Sequence, residues 1–321
     1  MINKNQYKNI EWIDLENPTN EEVRAVMDQY DIDPIVGNEL LSPTLRSRVD
    51  VHPKYIYLIL HFPVSPTINK ESNNKKDKKH SLKSRMQQPK IQEVDFVIGK
   101  NFIITTHYES VDALYDFSKI FEVNSILSKS QFGDHAGYMF FFMMKHLYHN
   151  LRSKVESLTE KLDEFEEQIF SGKEKEMVIE LSKLKRTLLT FKESTSAHKE
   201  VLVTFEIAAE KFFGAEFKYH LRSILGEYYK VRIFIESTKE YLDELRETND
   251  SLLSTKQNEV MQTLTVITFI ILPLSLISSI FGMNAIHTPF VGQPMDFLII
   301  TSIMLGLGIV VFAFCKERGW I

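Results

Sequence analysis

Two long apolar runs near the C terminus constrain the fold of this 321-residue chain more than any other feature. Val260 to Phe281 contains 22 residues and Phe297 to Cys315 contains 19, and neither run includes an Asp, Glu, Lys or Arg. A helix needs about 20 apolar residues to cross the hydrocarbon core of a bilayer. Because only a short loop joins the two runs, the sequence predicts an α-helical hairpin that spans the lipid bilayer.

The basic residues around this hairpin predict its orientation. Arg246 and Lys256 precede it and Lys316 and Arg318 follow it, whereas the connecting loop has no Lys or Arg. Basic residues concentrate on the cytoplasmic side of membrane segments. The segment from Met1 to Ile10 is polar and lacks the apolar core of a signal peptide. We therefore expect a multi-pass protein of the cell membrane with its N and C termini in the cytoplasm.

The average composition conceals a contrast between the hairpin and the rest of the chain. Mean hydropathy is −0.15 and the net charge is −5. Lys70 to Lys90 carries eight basic and two acidic residues, and removing this +6 from −5 leaves −11 elsewhere. An acidic surface argues against nucleic acid as a partner and is compatible with cations. The single cysteine, Cys315, excludes an intrachain disulfide and fits a reducing compartment.

The first part of the chain, residues 1–135, is predicted to be a cytoplasmic domain that mixes strands and helices. Thr19 followed by Glu22 is a capping box that opens a helix. A basic insert at about residues 65–90 has too few apolar side chains to offset the entropy of ordering, so we expect it to be disordered. A patch for anionic lipid is the alternative. The remaining elements are predicted at Trp12–Leu15, Tyr55–Val64, Ile91–Ile98 and Phe102–Thr106 for strands and at Val111–Phe121 for a helix.

Residues 136–257 change to helical periodicity. Two apolar series with spacings of three and four are separated by Ser171-Gly172, which predicts a helical hairpin. A further helix is predicted from about Glu216 to Phe281, a length of about 100 Å at 1.5 Å per residue. It would run as a stalk into the membrane segment, residues 258–321. The two series are Leu151, Val155, Leu158, Leu162, Phe165 and Ile169, and Met177, Leu181, Leu184, Leu188 and Phe191.

The first membrane helix carries a stripe of mostly small or hydroxyl-bearing residues, which we call the polar stripe. Lipid does not favour polar side chains, so this stripe is expected to face protein or water. Its spacing continues into the stalk through Glu240, Glu244 and Glu247, which predicts one wall of a cation path assembled from several copies. A tight helix–helix contact is the alternative. The stripe consists of Asn258, Met261, Thr265, Thr268, Leu272, Ser275, Ser279 and Gly282.

The tripeptide Gly282-Met283-Asn284 ends this stripe, after an apolar helix that contains Pro273. Together with the short loop and the second apolar run, it resembles the CorA family of divalent-cation channels, which have two membrane helices and a Gly-Met-Asn motif. Trp12-Ile13-Asp14-Leu15 and Asn258-Glu259-Val260-Met261 match further family positions. The resemblance implies a funnel-shaped homopentamer with an α+β cytoplasmic domain and long helices that continue into a C-terminal transmembrane hairpin.

The resemblance also implies roles for single residues. Asn284 and the Gly282 backbone would bind the entering ion through its hydration waters, and Asn258 would form a ring at the cytoplasmic mouth. Met261 and Leu272 would be apolar constrictions. Mg²⁺ loses water reluctantly and prefers oxygen ligands, so neutral amides and carbonyls suit the intact hydrate. The expected activity is Mg²⁺ uptake down its electrochemical gradient, with Co²⁺ and Ni²⁺ as further candidates and no cofactor, nucleotide or enzymatic step.

Three positions depart from the family pattern. Phe281 precedes the Gly where many members have Tyr, and Asp296 is the only acid of the outer loop. Ser223 stands where a stalk aspartate can take part in Mg²⁺ sensing, so the gating ligand is left open. His146 and His149 are three residues apart but have no third metal ligand at clear spacing. The acidic clusters Asp163, Glu164, Glu166, Glu167 and Asp243, Glu244, Glu247 suit either a solvated surface or cation attraction.

Two alternative functions remain open. A zinc transporter of the related ZntB type would have the same fold and hairpin, and Zn²⁺ would then be its ion. The polar stripe has no His, Cys or carboxylate within the membrane, which favours a hydrated hard ion. A membrane-anchored scaffold that conducts no ion is the second alternative.

Overall fold

The computed structural model describes residues 2–44, 46–64, 90–126, 133–283, 291–292 and 295–320, and of residues 123–126 the backbone alone. The chain separates into two compact units, Met1–Arg246 and Glu247–Ile321. The insert predicted to be disordered covers about residues 65–90. Residues 65–89 lie outside the described residues, and Lys90 is the first residue of a strand. The predicted division into 1–135, 136–257 and 258–321 stays a prediction.

A six-stranded sheet organises the first unit. Its order is β1-β2-β6-β5-β4-β3, and every neighbouring pair is antiparallel except β2 with β6, which is parallel. The predicted strands are confirmed, with β4 at its predicted bounds. The strands are β1 (Ile2–Tyr7), β2 (Ile10–Glu16), β3 (Val49–Val51), β4 (Tyr55–Val64), β5 (Lys90–Gly99) and β6 (Phe102–His107).

Alternate side chains of β4 enter two hydrophobic cores, one on each face of the sheet. Tyr57 and Ile59 pack with residues of α1 (Asn20–Tyr30) and α2 (Pro34–Glu39). Leu58 and Leu60 pack with residues of the later helices of this unit. The period of two in a strand explains this division, because successive side chains point to opposite faces. All ten residues of β4 are buried, as an interior strand covered on both faces requires.

The capping box predicted at the start of α1 is confirmed. The backbone nitrogen of Glu22 donates to Thr19 Oγ1 at 3.3 Å, and the backbone nitrogen of Thr19 donates to Glu22 Oε2 at 2.9 Å. These two bonds satisfy backbone donors that a helix start leaves without intrahelical partners. The helix places Val23 and Val26 in the core.

Four further helices belong to the first unit, and the second and third of them form the predicted helical hairpin. The helices are α3 (Asp112–Ile126), α4 (Ala136–Phe170), α5 (Glu174–Ser194) and α6 (His198–Phe213). Both predicted apolar series of the hairpin are buried in α4 and α5. The chain reverses at Gly172, whose φ of 96° is a conformation that a side chain would strain.

The longest element, α7 (Lys218–Phe281), has 64 residues, or about 96 Å at 1.5 Å per residue. It follows a short 3₁₀ turn at Ala215–Phe217, so it begins two residues after the predicted start. In the second unit its C-terminal part is accompanied by α8 (Asp296–Glu317), which has 22 residues. Both helices are long and apolar enough to cross a membrane.

Candidate functional site

One face of α7 in the second unit packs against α8. A methyl group placed at Gly308 of α8 would lie 3.8 Å from Leu274 Cδ1, an ordinary van der Waals distance, so the two helices are close neighbours at this point. Gln262 Nε2 donates to the Trp320 carbonyl at 3.2 Å beyond the end of α8. The least exposed residues of the membrane part of α7 follow helical spacing and are Val266, Ile270, Pro273, Leu274, Ile277 and Phe281.

The polar stripe lies on the opposite face of α7. All eight of its residues, from Asn258 to Gly282, are exposed in the single chain. With 100° of rotation per residue, the mean direction of the stripe differs from that of the packed face by roughly 160°. Leu272 is 62% exposed, whereas Val266 on the packed face is 4% exposed. The stripe is therefore available to further copies of the chain or to water.

Two threonines of the stripe donate their hydroxyl protons to backbone carbonyls of the same helix. Thr265 Oγ1 donates to the Met261 carbonyl at 2.7 Å, and Thr268 Oγ1 donates to the Leu264 carbonyl at 2.8 Å. A hydroxyl that donates inward keeps only its acceptor lone pairs for an outside partner. The waters of a hydrated cation point their hydrogens outward, so acceptor groups of this kind suit it.

The first two residues of the Gly-Met-Asn motif follow directly after the end of α7. The Gly282 nitrogen donates to the Ser278 carbonyl at 2.9 Å, and a Cβ at this position would lie 3.1 Å from the same oxygen. A side chain at this position would therefore require the Ser278 carbonyl to move by a few tenths of an ångström. Met283 is 62% exposed. Asn284, the predicted selectivity residue, lies outside the described residues.

Asp296 has local backbone contacts that the sequence did not indicate. Its Oδ1 accepts from the Phe297 nitrogen at 2.7 Å, and its Oδ2 accepts from the Gly292 nitrogen at 3.2 Å. The carboxylate, on the first residue of α8, thus accepts from one backbone donor of the first turn and from one residue of the preceding loop.

The predicted acids of the stalk divide into two groups. Glu240 and Glu244 of the first unit are exposed, and so is Glu247 of the second. Asp243 instead pairs with Lys185 at 2.8 Å and with Lys239 at 3.3 Å. The hydrogen bond from Lys185 lowers the pKa of Asp243, and Lys239 acts in the same direction.

Other acids of the predicted clusters also have structural contacts. The Tyr241 hydroxyl lies 3.0 Å from both Asp163 Oδ1 and Glu166 Oε2, which joins α7 to α4 within the first unit. The acids that remain candidates for attracting cations along the polar stripe are Glu240, Glu244 and Glu247. Ser223 is part-buried in α7 and carries no carboxylate.

The histidine pair of α4 has no complete metal site. Within the part of the chain that the structure describes, no group of three His, Cys, Asp or Glu side chains could hold a metal ion. Burial lowers the pKa of His146, with Asp116 opposing that effect and His149 adding to it. Cys315 is buried in α8.

Comparison with known proteins identifies the family. The model of the family described as CorA-like Mg²⁺ transporter protein matches residues 7–316. The chain belongs to this family. This CorA-family chain is 21% identical over 300 residues to the cobalt/magnesium transport protein CorA of Thermotoga maritima, a match that covers 93% of this chain and 80% of the relative.

Solved structures give the same result for the fold of this CorA-family protein. The CorA magnesium transporter of Methanocaldococcus jannaschii matches with a TM-score of 0.81 at 18% identity, covering 99% of this chain and 94% of that one. The cytoplasmic domain of ZntB from Vibrio parahaemolyticus matches with a TM-score of 0.57 at 10% identity, covering 78% and 90%. These likenesses at low identity show the fold alone.

Family membership and fold settle the coarse predictions. The fold class is confirmed, with an α/β domain followed by long helices and two C-terminal apolar helices. CorA-family proteins are membrane proteins that transport divalent cations, and they are not enzymes. The homopentamer, the individual site residues and the cytoplasmic termini stay predictions.

Proposed function

We propose that this protein is a channel for Mg²⁺ uptake, with Co²⁺ and Ni²⁺ as further ions. It acts as a homopentamer in the cell membrane with both termini in the cytoplasm. The polar stripe of α7 lines the pore, and α8 packs around it. Gly282, Met283 and Asn284 form the outer selectivity filter.

The observation that carries this proposal is the position of the polar stripe on α7. The stripe faces away from α8, so a single chain leaves its hydroxyl and amide groups without cover. Lipid offers no hydrogen bonds to such groups, and their exposure to hydrocarbon is unfavourable. Several copies arranged with their stripes inward would place these groups around a water-filled axis and leave the apolar faces to lipid.

The chemistry of the stripe suits a hydrated ion. Thr265 and Thr268 present hydroxyl acceptors, Asn258 and Asn284 add amide oxygens, and no stripe residue is charged. Mg²⁺ keeps its waters more tightly than Ca²⁺ does, so neutral groups that bind the hydrate avoid the cost of dehydration. Weak neutral sites also let the ion leave again, and the apolar rings of Met261 and Leu272 can gate by dewetting.

The membrane potential supplies the driving force. An inside-negative potential of 100 mV favours entry of a divalent cation by about 4.6 kcal/mol, twice the value for a single charge. Uptake therefore needs neither nucleotide hydrolysis nor a proton gradient. The exposed Glu240, Glu244 and Glu247 would attract the ion at the cytoplasmic end.

Flux into proteoliposomes tests the proposal. We expect an applied inside-negative potential to drive Mg²⁺ entry without a pH gradient, and Asn284→Ala to reduce entry at least tenfold or abolish it. Asn150→Ala, on a helix of the first unit, is the matched control and should conduct normally. Absence of any divalent flux from the wild type would contradict a channel. Proton-dependent Zn²⁺ flux without Mg²⁺ flux would instead support the ZntB-type alternative.

A further inference from the structure

A cavity of about 460 Å³ lies in the first unit, whereas the polar stripe belongs to the second. It forms where the start of β5 and the turn after β6 meet the loop after α2 and the connection between α5 and α6. This volume is within the range of about 300 to 1,000 Å³ that is usual for small-molecule sites. Nothing in the proposed transport function uses this cavity.

The charged residues around the cavity are acidic. Glu93, Glu109 and Glu193 line it, and no Lys or Arg among the described residues does so. Glu109 is paired with Lys90 at 3.0 Å outside the lining, whereas Glu193 is exposed. The lining therefore favours a positively charged occupant.

The Glu93 carboxylate is buried and fixed in the wall. It accepts from the Thr44 nitrogen at 2.9 Å, and His61 Nε2 lies 3.2 Å from its Oε2. His61 Nδ1 in turn lies 2.8 Å from Ser47 Oγ. When the His61 ring is neutral and donates from Nε2 to Glu93, its Nδ1 must accept the Ser47 proton. Ser47 then offers only lone pairs to the cavity.

Three other hydroxyl groups of the lining also donate to the protein. Ser194 Oγ donates to the Phe191 carbonyl at 3.0 Å, and Ser196 Oγ donates to the Glu193 carbonyl at 2.8 Å. The Tyr108 hydroxyl donates toward the Glu39 carbonyl at 3.1 Å. Each of these oxygens keeps acceptor lone pairs alone for a bound molecule. The side-chain oxygens of the cavity thus form a set of acceptors around a negative charge.

Such a set of acceptors fits a cation that carries several N–H or O–H donors. Among the described residues, no three His, Cys, Asp or Glu side chains come together as a metal site. Six waters around a hydrated ion occupy about 180 Å³, less than half of the cavity. Pro43, Ile91 and Ala197 add apolar surface to the lining, which suits methylene groups.

We propose that this cavity binds an aliphatic amine with two or more ammonium groups. The ammonium groups would donate hydrogen bonds to the exposed Glu193 carboxylate and to the hydroxyl oxygens, and the methylene chain would lie on the apolar lining. The buried Glu93 carboxylate would attract them by its charge from within the wall. Charge-assisted hydrogen bonds of this kind are about twice as strong as neutral ones. The protein would then respond in its cytoplasmic unit to an organic cation that it does not transport.

Hydrogen–deuterium exchange of the full-length protein in detergent tests this assignment, with spermidine and Mg²⁺ as separate probes. Residues 43–47 and 192–198 report on the cavity and are far in sequence from the polar stripe. At a spermidine concentration about ten times its dissociation constant, local opening should become about tenfold rarer, and exchange should slow accordingly. Glu193→Gln should reduce this protection, and Glu193→Lys should abolish it.

Glu200→Gln is the matched control, because Glu200 is an exposed glutamate of α6 outside the lining. It should keep the protection seen in the wild type. Unliganded exchange of each variant, compared with the wild type, verifies that the fold is intact. Protection by Mg²⁺ but not by spermidine would overturn the amine and assign a hydrated metal ion. Protection by neither probe, or protection unchanged in Glu193→Lys, would overturn the site itself. None of these readouts depends on ion flux.

Discussion

The apolar seam of α4 in the first unit and the polar stripe of α7 in the second have the same spacing of three and four residues but opposite surroundings. The seam, from Leu151 to Ile169, is buried along its whole length. The stripe, from Asn258 to Gly282, is exposed along its whole length. Periodicity therefore identifies a helix face in both cases, and only the chemistry of the side chains indicates what covers it.

The two regions also treat polar groups differently. In the first unit, His198 is fully buried and has two partners, the Tyr148 hydroxyl and the His61 carbonyl, each at 2.8 Å. In the second, the threonines of the stripe bond to their own helix and keep acceptors for an outside partner. A buried polar group must find its partner within the fold, whereas a pore-lining group must leave capacity for the ion.

Substitution of one leucine in each region gives the largest expected contrast. Leu162→Ala in the seam removes a side chain that is 0% exposed and should lower the free energy of unfolding by about 2–5 kcal/mol. Leu272→Ala in the stripe removes an exposed side chain and should cost less than about 1 kcal/mol in the single chain while raising ion leak. Thermal unfolding and proteoliposome flux measure the two effects. Equal destabilisation by both variants would show that the stripe is an ordinary packing seam.

The sequence predicted the elements that depend on local patterns. The bounds of β4, the Thr19 capping box and both apolar series of the α4–α5 hairpin follow from periodicity and side-chain chemistry. It missed β1, whose Asn3, Lys4 and Asn5 have no apolar alternation because the strand lies at the sheet edge. It also missed α2, although Asp33-Pro34 supplied an N-cap and a proline at the first turn.

The polar stripe and the cavity differ in the same way, because only the stripe depends on a local sequence pattern. The polar stripe could be predicted as one face of a helix because its members lie on one helix with regular spacing, and its role as a pore lining stays a prediction. The cavity beside Glu93 could not, because its lining comes from segments as distant as Ser47 and Glu193. The acids Glu93 and Asp95 within the apolar strand β5 were the available signal. The parallel pairing of β2 with β6 is likewise a long-range contact that no local pattern specifies.

The buried histidine of the first unit predicts a loss of stability in acid. Its Nε2 carries the proton that the His61 carbonyl accepts, so Nδ1 accepts from Tyr148 and the ring is neutral. Burial lowers the pKa of His198 to about 4, whereas an unfolded histidine has about 6.5.

The unfolded state therefore binds more protons than the folded state between these two pKa values. The stability that the neutral His198 contributes is fully present above about pH 6.5. It is lost as pH falls toward 4, which lowers the free energy of unfolding by about 3 kcal/mol. His198→Gln keeps one donor and one acceptor but cannot titrate. Its unfolding free energy should therefore fall less than that of the wild type between pH 7 and pH 4. An identical pH dependence in both proteins would exclude His198 as a source of acid sensitivity.

The smallest expected effect is a difference in Mg²⁺ flux between substitutions on the two faces of α7. Thr268 lies in the polar stripe, whereas Thr263 lies on the side of the packed face, and each donates its hydroxyl proton to the carbonyl four residues earlier. Replacement of either threonine by valine removes the same intrahelical bond and keeps the shape. Only Thr268→Val removes an acceptor from the proposed pore, which at about 1 kcal/mol per hydrogen bond should change Mg²⁺ flux about fivefold. Thr263→Val should leave flux near the wild-type value, since helix propensity and volume change equally in both variants. Equal flux in the two variants would mean that hydrated ions do not use the Thr268 hydroxyl, and the conducting face of α7 would have to be sought elsewhere on the helix.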